Sequence, residues 1–145
     1  MMLKKFDFIE HTADVGIVVY AKTYNQLFEN AAYGMYNIIC ENFTKIADEK
    51  KYDAKISEID LETLLVSFLN DLLYQTFVNK VIFCKFRIEE LVCNEGSYNI
   101  NFAAYGEDYN VNKHGRLLEL KAATFHGLKI EKLFDTYTVT IIFDT

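Results

Sequence analysis

The run EHTADVG, from Glu10 to Gly16, holds two carboxylates, an imidazole and a hydroxyl between two predicted strands. A short polar turn brings such groups close together, and clustered hard oxygen atoms suit Ca²⁺ or Mg²⁺ better than zinc. The alternative is that Thr12 and Asp14 only satisfy backbone amides of the turn, as Asx and Ser/Thr motifs commonly do. Taken alone, the segment favours this structural interpretation.

The chain closes on an apolar segment that is followed by Asp144 and Thr145. An apolar strand that runs to the last residue should be docked in a sheet, which would hold its end in place. The Asp144 side chain and the Thr145 α-carboxylate would then repel each other unless a cation or solvent compensates them. If this end meets the turn at Asp14, three carboxylates converge and a divalent cation site is predicted. The alternative is an ordinary solvated terminus.

A third candidate is KAATFHGL, which runs from Lys121 to Leu128 on a predicted strand. Adjacent alanines pack poorly in a strand, which suggests that something bulky lies over them. Lys121 could pair with the carboxylates or present a positive charge to a partner. A lone histidine such as His126 at a strand end is more often a hydrogen-bonded structural group, and His114 is expected to face solvent in a loop.

The composition limits the function classes. A chain of 145 residues, 51% of them hydrophobic, fits one domain over residues 1–145. A net charge of -6 argues against a general nucleic-acid binder, so any role with RNA should pass through a partner. GxSxG, Walker A, GxGxxG and HExxH motifs are missing, and a metallohydrolase would usually show more than three histidines. A binding protein without catalytic residues is therefore favoured over an enzyme.

The sequence also indicates where the protein works. The N-terminus lacks a long apolar core, so neither a signal peptide nor a membrane span is expected. The cysteines are odd in number and widely spaced, which predicts buried free thiols rather than disulfides or a zinc site. We therefore expect a cytoplasmic protein. The sequence does not determine its oligomeric state.

Two segments of helical period must position the candidate residues. The first helix should begin at Thr23, where Thr23 and Gln26 have capping-box spacing, and end near Cys40. The second should run from Asp60 to about Val78, with a leucine-rich face opposite a polar one. Alternating or β-branched runs predict strands over 4–9, 15–21, 52–57, 83–92, 98–102, 117–125 and 137–143.

A turn is expected at 94–96 and an irregular connection over 106–115. The predicted fold class is α+β: a two-layer sandwich in which two main helices pack on a mostly antiparallel or mixed sheet.

Four segments, EHTADVG, the helix DLETLLV through LNDLLY, KAATFHGL and the closing FDT, together resemble the archease family, in the same order and over essentially the whole chain. The resemblance implies a small α+β protein that assists an RtcB-type RNA ligase in tRNA splicing and RNA repair, promoting ligase guanylylation and multiple turnover. It implies a divalent cation, Ca²⁺ before Mg²⁺ or Mn²⁺, at Asp14, Asp144 and Thr145. It also implies a surface for the ligase, formed by His11, Thr12, Lys121 and His126.

Two other functions are compatible with the sequence. Archease-like proteins are also associated with a general chaperone role that modulates tRNA-modifying methyltransferases. A divalent-metal phosphoester hydrolase could use His11, His126 and the carboxylates. Activity on several clients without dependence on Asp14 would indicate the chaperone, and turnover by the purified protein alone would indicate the hydrolase.

Overall fold

The computed structural model describes residues 4–9 and 14–145. The helices are α1 Tyr24–Ile39, α2 Leu61–Phe77 and α3 Val111–His114, and a 3-10 turn covers Phe43–Lys45. The strands are β1 Phe6–Phe8, β2 Val15–Ala21, β3 Lys50–Glu58, β4 Val81–Asn94, β5 Ser97–Asp108, β6 Ala122–Ala123, β7 Glu131–Leu133 and β8 Thr136–Asp144. The predicted α+β class is confirmed. No helix in the described ranges is long and apolar enough to cross a membrane.

The strands of the described residues form two sheets in which every pairing is antiparallel. One sheet has the order β1-β2-β8-β6, with β7 also paired to β8, and the other has the order β3-β5-β4. The sequence pattern predicted one sheet, antiparallel or mixed. Alternation of apolar and polar residues shows which face of a strand is buried, but it does not show which strand is its neighbour.

Helix α1 begins as predicted, because the Thr23 hydroxyl accepts a hydrogen bond from the backbone N–H of Gln26 at 3.1 Å. The reciprocal bond differs from a standard capping box: the Gln26 side chain accepts from Lys22 N–H at 3.4 Å instead of from Thr23. The apolar stripe of α1 is buried and packs against β2 of one sheet and β4 of the other.

Helix α2 begins where Asp60 accepts a hydrogen bond from Thr63 N–H at 2.7 Å. Its leucine-rich face is buried, and each fully buried large side chain contributes roughly 1.5–3 kcal/mol. The opposite, polar face is also tied to other elements. Asp71 accepts a hydrogen bond from the Tyr52 hydroxyl at 2.7 Å, and the Ser67 hydroxyl donates to Glu58. Both helices contact both sheets, so they hold the two sheets together.

Three local predictions were wrong. The strand expected over 117–125 is reduced to β6, because Leu118 N–H donates to Ile39 O at the end of α1 instead of to a strand. The connection expected over 106–115 contains the end of β5 and helix α3, and its His114 is buried. All three cysteines are free, but only Cys40 is buried, whereas Cys93 is exposed.

Candidate functional site

The C-terminal strand β8 lies between β2 and β6. Val15 at the start of β2 pairs with Phe143, and Ala122 at the start of β6 pairs with Asp144. Asp14 immediately precedes Val15, and Asp144 immediately follows Phe143. The register therefore places the two carboxylate-bearing residues at opposing positions, at the end of two neighbouring strands.

The charged side chains at this end of the sheet are exposed, whereas the apolar ones are not. Val15 and Phe143 pack into the core, whereas Asp14 and Asp144 are exposed. The strand pairing ends at Val15 and Phe143, and its continuation by one position would bring the Cβ atoms of Asp14 and Asp144 to about 4.5–5.5 Å on one face. The arrangement can therefore offer two carboxylates to one cation.

Lys121 lies at the same end of the sheet, on the other side of β8. Its backbone N–H donates to the Asp144 carbonyl oxygen at 2.7 Å, and its side chain is exposed. We define the carboxylate edge as Asp14, Lys121, Asp144 and Thr145. It combines acidic groups with one cationic group on three adjacent segments.

Asn70 of α2 fixes the position of β6, a role that the sequence analysis missed. Its side-chain oxygen accepts from Ala123 N–H at 2.7 Å, and its side-chain nitrogen donates to Ala123 O at 3.3 Å. The amide thus replaces a neighbouring strand on the side of β6 that faces away from β8. The available signal was the position of Asn70 among the polar residues beside the leucine-rich face of α2, but such residues usually face solvent.

Comparison with known proteins identifies the family of this arrangement. The model of the Archease protein family (MTH1598/TM1083) matches residues 6–145. The chain belongs to the archease family.

Curated relatives in the archease family match at full length. Protein archease of Methanosarcina acetivorans is 38% identical over 141 residues, covering 97% of this chain and 96% of that protein. Protein archease of Sulfurisphaera tokodaii is 34% identical over 142 residues, covering 98% and 99%.

Two solved structures share the archease fold. The solution structure of protein 1598 from Methanobacterium thermoautotrophicum superposes with a TM-score of 0.80 at 24% identity, covering 99% of this chain and 100% of that one. The crystal structure of a Thermotoga maritima archease, described as a possible chaperone, gives a TM-score of 0.54 at 21% identity and covers 100% and 98%.

The glycine of the archease segment EHTADVG has a packing role in β2. A Cβ atom added to Gly16 would lie 2.6 Å from the Ile141 carbonyl oxygen and 2.7 Å from Ile9 Cδ1. A side chain here would push β2 away from β8. Gly16 therefore maintains the close strand pairing that sets Asp14 opposite Asp144.

The third archease segment, KAATFHGL, leaves the sheet after β6. The backbone N–H and the hydroxyl of Thr124 both donate to Ile142 O, at 3.0 and 2.9 Å. His126 then lies in a turn with an exposed side chain, and Gly127 adopts a φ of +62° there. Lys121 and His126 are thus at opposite ends of the segment, and only Lys121 belongs to the carboxylate edge.

His11 and Thr12 lie outside the described residues. Within residues 4–9 and 14–145, no three side chains of His, Cys, Asp or Glu are grouped so that they could hold a metal ion. The predicted ligand set includes only two such side chains, those of Asp14 and Asp144, since its third member is Thr145. The assignment of a metal to the carboxylate edge stays a prediction.

Proposed function

We propose that this chain is a non-catalytic activator of an RtcB-type RNA ligase in the cytoplasm, where it acts in tRNA splicing and RNA repair. In this proposal it promotes guanylylation of the ligase and multiple turnover, and tRNA is contacted only through the ligase. Membership of the archease family supports the proposal.

One observation carries the proposal. Three separate segments, which end or begin at Asp14, Lys121 and Asp144, meet at the carboxylate edge. The edge is exposed, and the backbone that carries its charged groups is paired before any partner binds. A preformed site loses less conformational entropy on binding than a flexible one.

The donor set of the edge fits a hard divalent cation. Asp14 and Asp144 would supply carboxylate oxygens and Thr145 a further oxygen, which suits Ca²⁺, or Mg²⁺ and Mn²⁺ in its place. A bound cation would neutralise the repulsion between the carboxylates and add a positive charge at the surface presented to the ligase. The role of Lys121 in this proposal is to present a second positive charge beside it, while His11, Thr12 and His126 complete the surface.

The test is a guanylylation assay with the cognate ligase. Asp14→Ala and Asp144→Ala should keep the fold, because both side chains are exposed, and should abolish stimulation of the ligase. Asp53→Ala is the matched control, since it removes an exposed carboxylate from β3, in the other sheet. Full stimulation by both edge variants would contradict the proposal.

A chaperone function is the second candidate, because the Thermotoga maritima relative is described as a possible chaperone. Such a chaperone, acting for example on tRNA-modifying methyltransferases, should protect several unrelated clients from aggregation. Its action should be equal for the native chain and for Asp144→Ala.

A further inference from the structure

A groove runs along the C-terminal half of α2, between this helix and residues 116–121. It consists of two hollows of about 320 and 230 Å³ that share Phe77 and Glu119 as lining residues. Leu73 and Leu120 line the larger hollow, and Leu117 lines the smaller one. We call this feature the α2 groove.

The rim of the groove exposes apolar side chains beside cationic ones. Tyr74 and Val78 are 55% and 56% exposed on the α2 side. Lys121 lines the larger hollow, and Lys80 and Arg116 line the smaller one, whereas Glu119 is the acidic residue of the lining. The groove is therefore net positive in a chain whose net charge is -6.

The side chains of two of these cations have neither an ion pair nor a hydrogen bond within the described part of the chain. Arg116 and Lys121 form no ion pair there, unlike Lys22, which contacts Asp135 at 2.6 Å. Lys80 differs, because its Nζ donates to Phe77 O at 3.0 Å at the end of the helix. Arg116 and Lys121 are thus available to carboxylates of another molecule.

The groove is continuous with the carboxylate edge. Asn70 and Lys121 line its larger hollow, and these residues also hold Ala123 and the Asp144 carbonyl. From Asn70 to Phe77 the helix spans about 10 Å at 1.5 Å per residue, and the lining of the groove continues beyond it to Lys80. An extended peptide covers the helical part with about three residues.

We propose that the α2 groove binds an extended acidic segment of the partner protein, with apolar side chains against Tyr74 and Val78 and carboxylates against Arg116 and Lys121. This inference rests on the proposed function, since the partner is the protein that the carboxylate edge acts on. The segment would hold the partner while the edge reaches the site that it activates. Affinity and activation would then depend on adjacent surfaces that share Lys121, whereas Tyr74, Val78 and Arg116 belong to the groove alone.

RNA fits the groove less well than an acidic peptide. Every nucleotide of RNA carries a phosphate charge, and non-specific affinity requires many clustered cations. The groove offers three, and Asp144 lies next to Lys121 at its end. A peptide can alternate carboxylates with apolar residues to match the rim, whereas RNA cannot omit its charges.

The first experiment measures the affinity of the ligase for the chain by calorimetry at low and high salt. Arg116→Glu, which changes a groove residue outside the carboxylate edge, should weaken binding roughly fivefold at low salt and less at high salt, because exposed charge pairs are screened. Val78→Asp should also weaken it. Lys55→Glu, which reverses an exposed charge on β3, is the matched control and should bind like the native chain.

Guanylylation of the ligase separates this inference from the proposed function. At a saturating concentration of the variant, Arg116→Glu should stimulate the ligase as fully as the native chain does. Asp144→Ala should not stimulate it at any concentration. If Arg116→Glu and Val78→Asp bind the ligase with native affinity and stimulate it fully, the groove inference is overturned and the proposed function is not. Failure of the native chain to stimulate the ligase would overturn the proposed function.

A third readout does not depend on the ligase. The peptide Glu-Leu-Glu-Glu-Phe-Glu, titrated into the isotope-labelled chain, should shift the amide signals of residues 73–80 and 116–121, and its Gln-for-Glu counterpart should shift them much less. Shifts confined to other residues, or stronger shifts at the groove with hexauridylate RNA, would overturn the inference.

Discussion

The buried imidazole of His114 contacts the partly buried carboxylate of Glu107. Asn110 N–H donates to His114 Nδ1 at 3.0 Å, so the imidazole proton lies on Nε2, which donates to Glu107 at 2.8 Å. Lys113 Nζ and Ala47 N–H donate to the same carboxylate, at 3.0 and 2.9 Å. These donors, Lys113 first, lower the pKa of Glu107 from 4.5 to about 2.

The pH dependence of stability should reflect Glu107. Because its pKa is lowered in the folded state, its contribution is complete above about pH 4.5 and is lost as the pH falls toward 2. Glu107→Ala should lower the free energy of unfolding at neutral pH by about 1–3 kcal/mol, since it leaves buried donors unpaired. Urea unfolding between neutral and acidic pH measures both effects. An equal acid dependence in the variant and the native chain would contradict this role.

Single residues differ in how well the sequence reveals them. Asp14 and Asp144 could be selected as candidate site residues, because Asp14 directly precedes one apolar strand and Asp144 ends another. His114 could not, because its partner Glu107 lies on the part of β5 that was expected to be an irregular connection. A side chain can be predicted to be buried only when its partners can also be predicted.

Among the secondary-structure elements, the helices were the most predictable and β6 the least. Thr23 and Asp60 cap α1 and α2 where their sequence signals indicated. The apolar stripes of both helices were long enough for the helical period of about 3.6 residues to be recognised. Strand β6 has only two residues and is held on one side by the Asn70 side chain. No periodic pattern can be recognised over two residues, so the longer strand over 117–125 was predicted in its place.

Asn70→Ala tests whether α2 holds β6 in position. Loss of the two hydrogen bonds to Ala123 should lower the free energy of unfolding by about 1–3 kcal/mol and speed hydrogen exchange of Ala123 N–H and Lys121 N–H. Asn79→Ala removes an exposed hydrogen bond to Gln75 just beyond the C-terminal end of α2 and is the control. Unchanged exchange at both amides in Asn70→Ala would show that β8 alone fixes β6.

At the scale of the whole molecule, the sequence indicated the α+β class but not the division into two sheets. The long β4–β5 hairpin and β3 pair among themselves, and β8 pairs with β2, β6 and β7. These pairings join residues far apart in sequence, which local patterns do not specify. They also create the carboxylate edge, since Asp14 and Asp144 lie at opposite ends of the chain.

A calcium titration of the purified chain, followed by backbone amide signals, tests the central claim most directly. The native chain should show saturable shifts at Lys121, Asp144 and Thr145, and Asp144→Asn should lose them while its other signals stay in place. Asp53→Asn is the control and should respond like the native chain. Absence of shifts at the carboxylate edge, or equal shifts in Asp144→Asn, would contradict a divalent cation site at this end of the sheet.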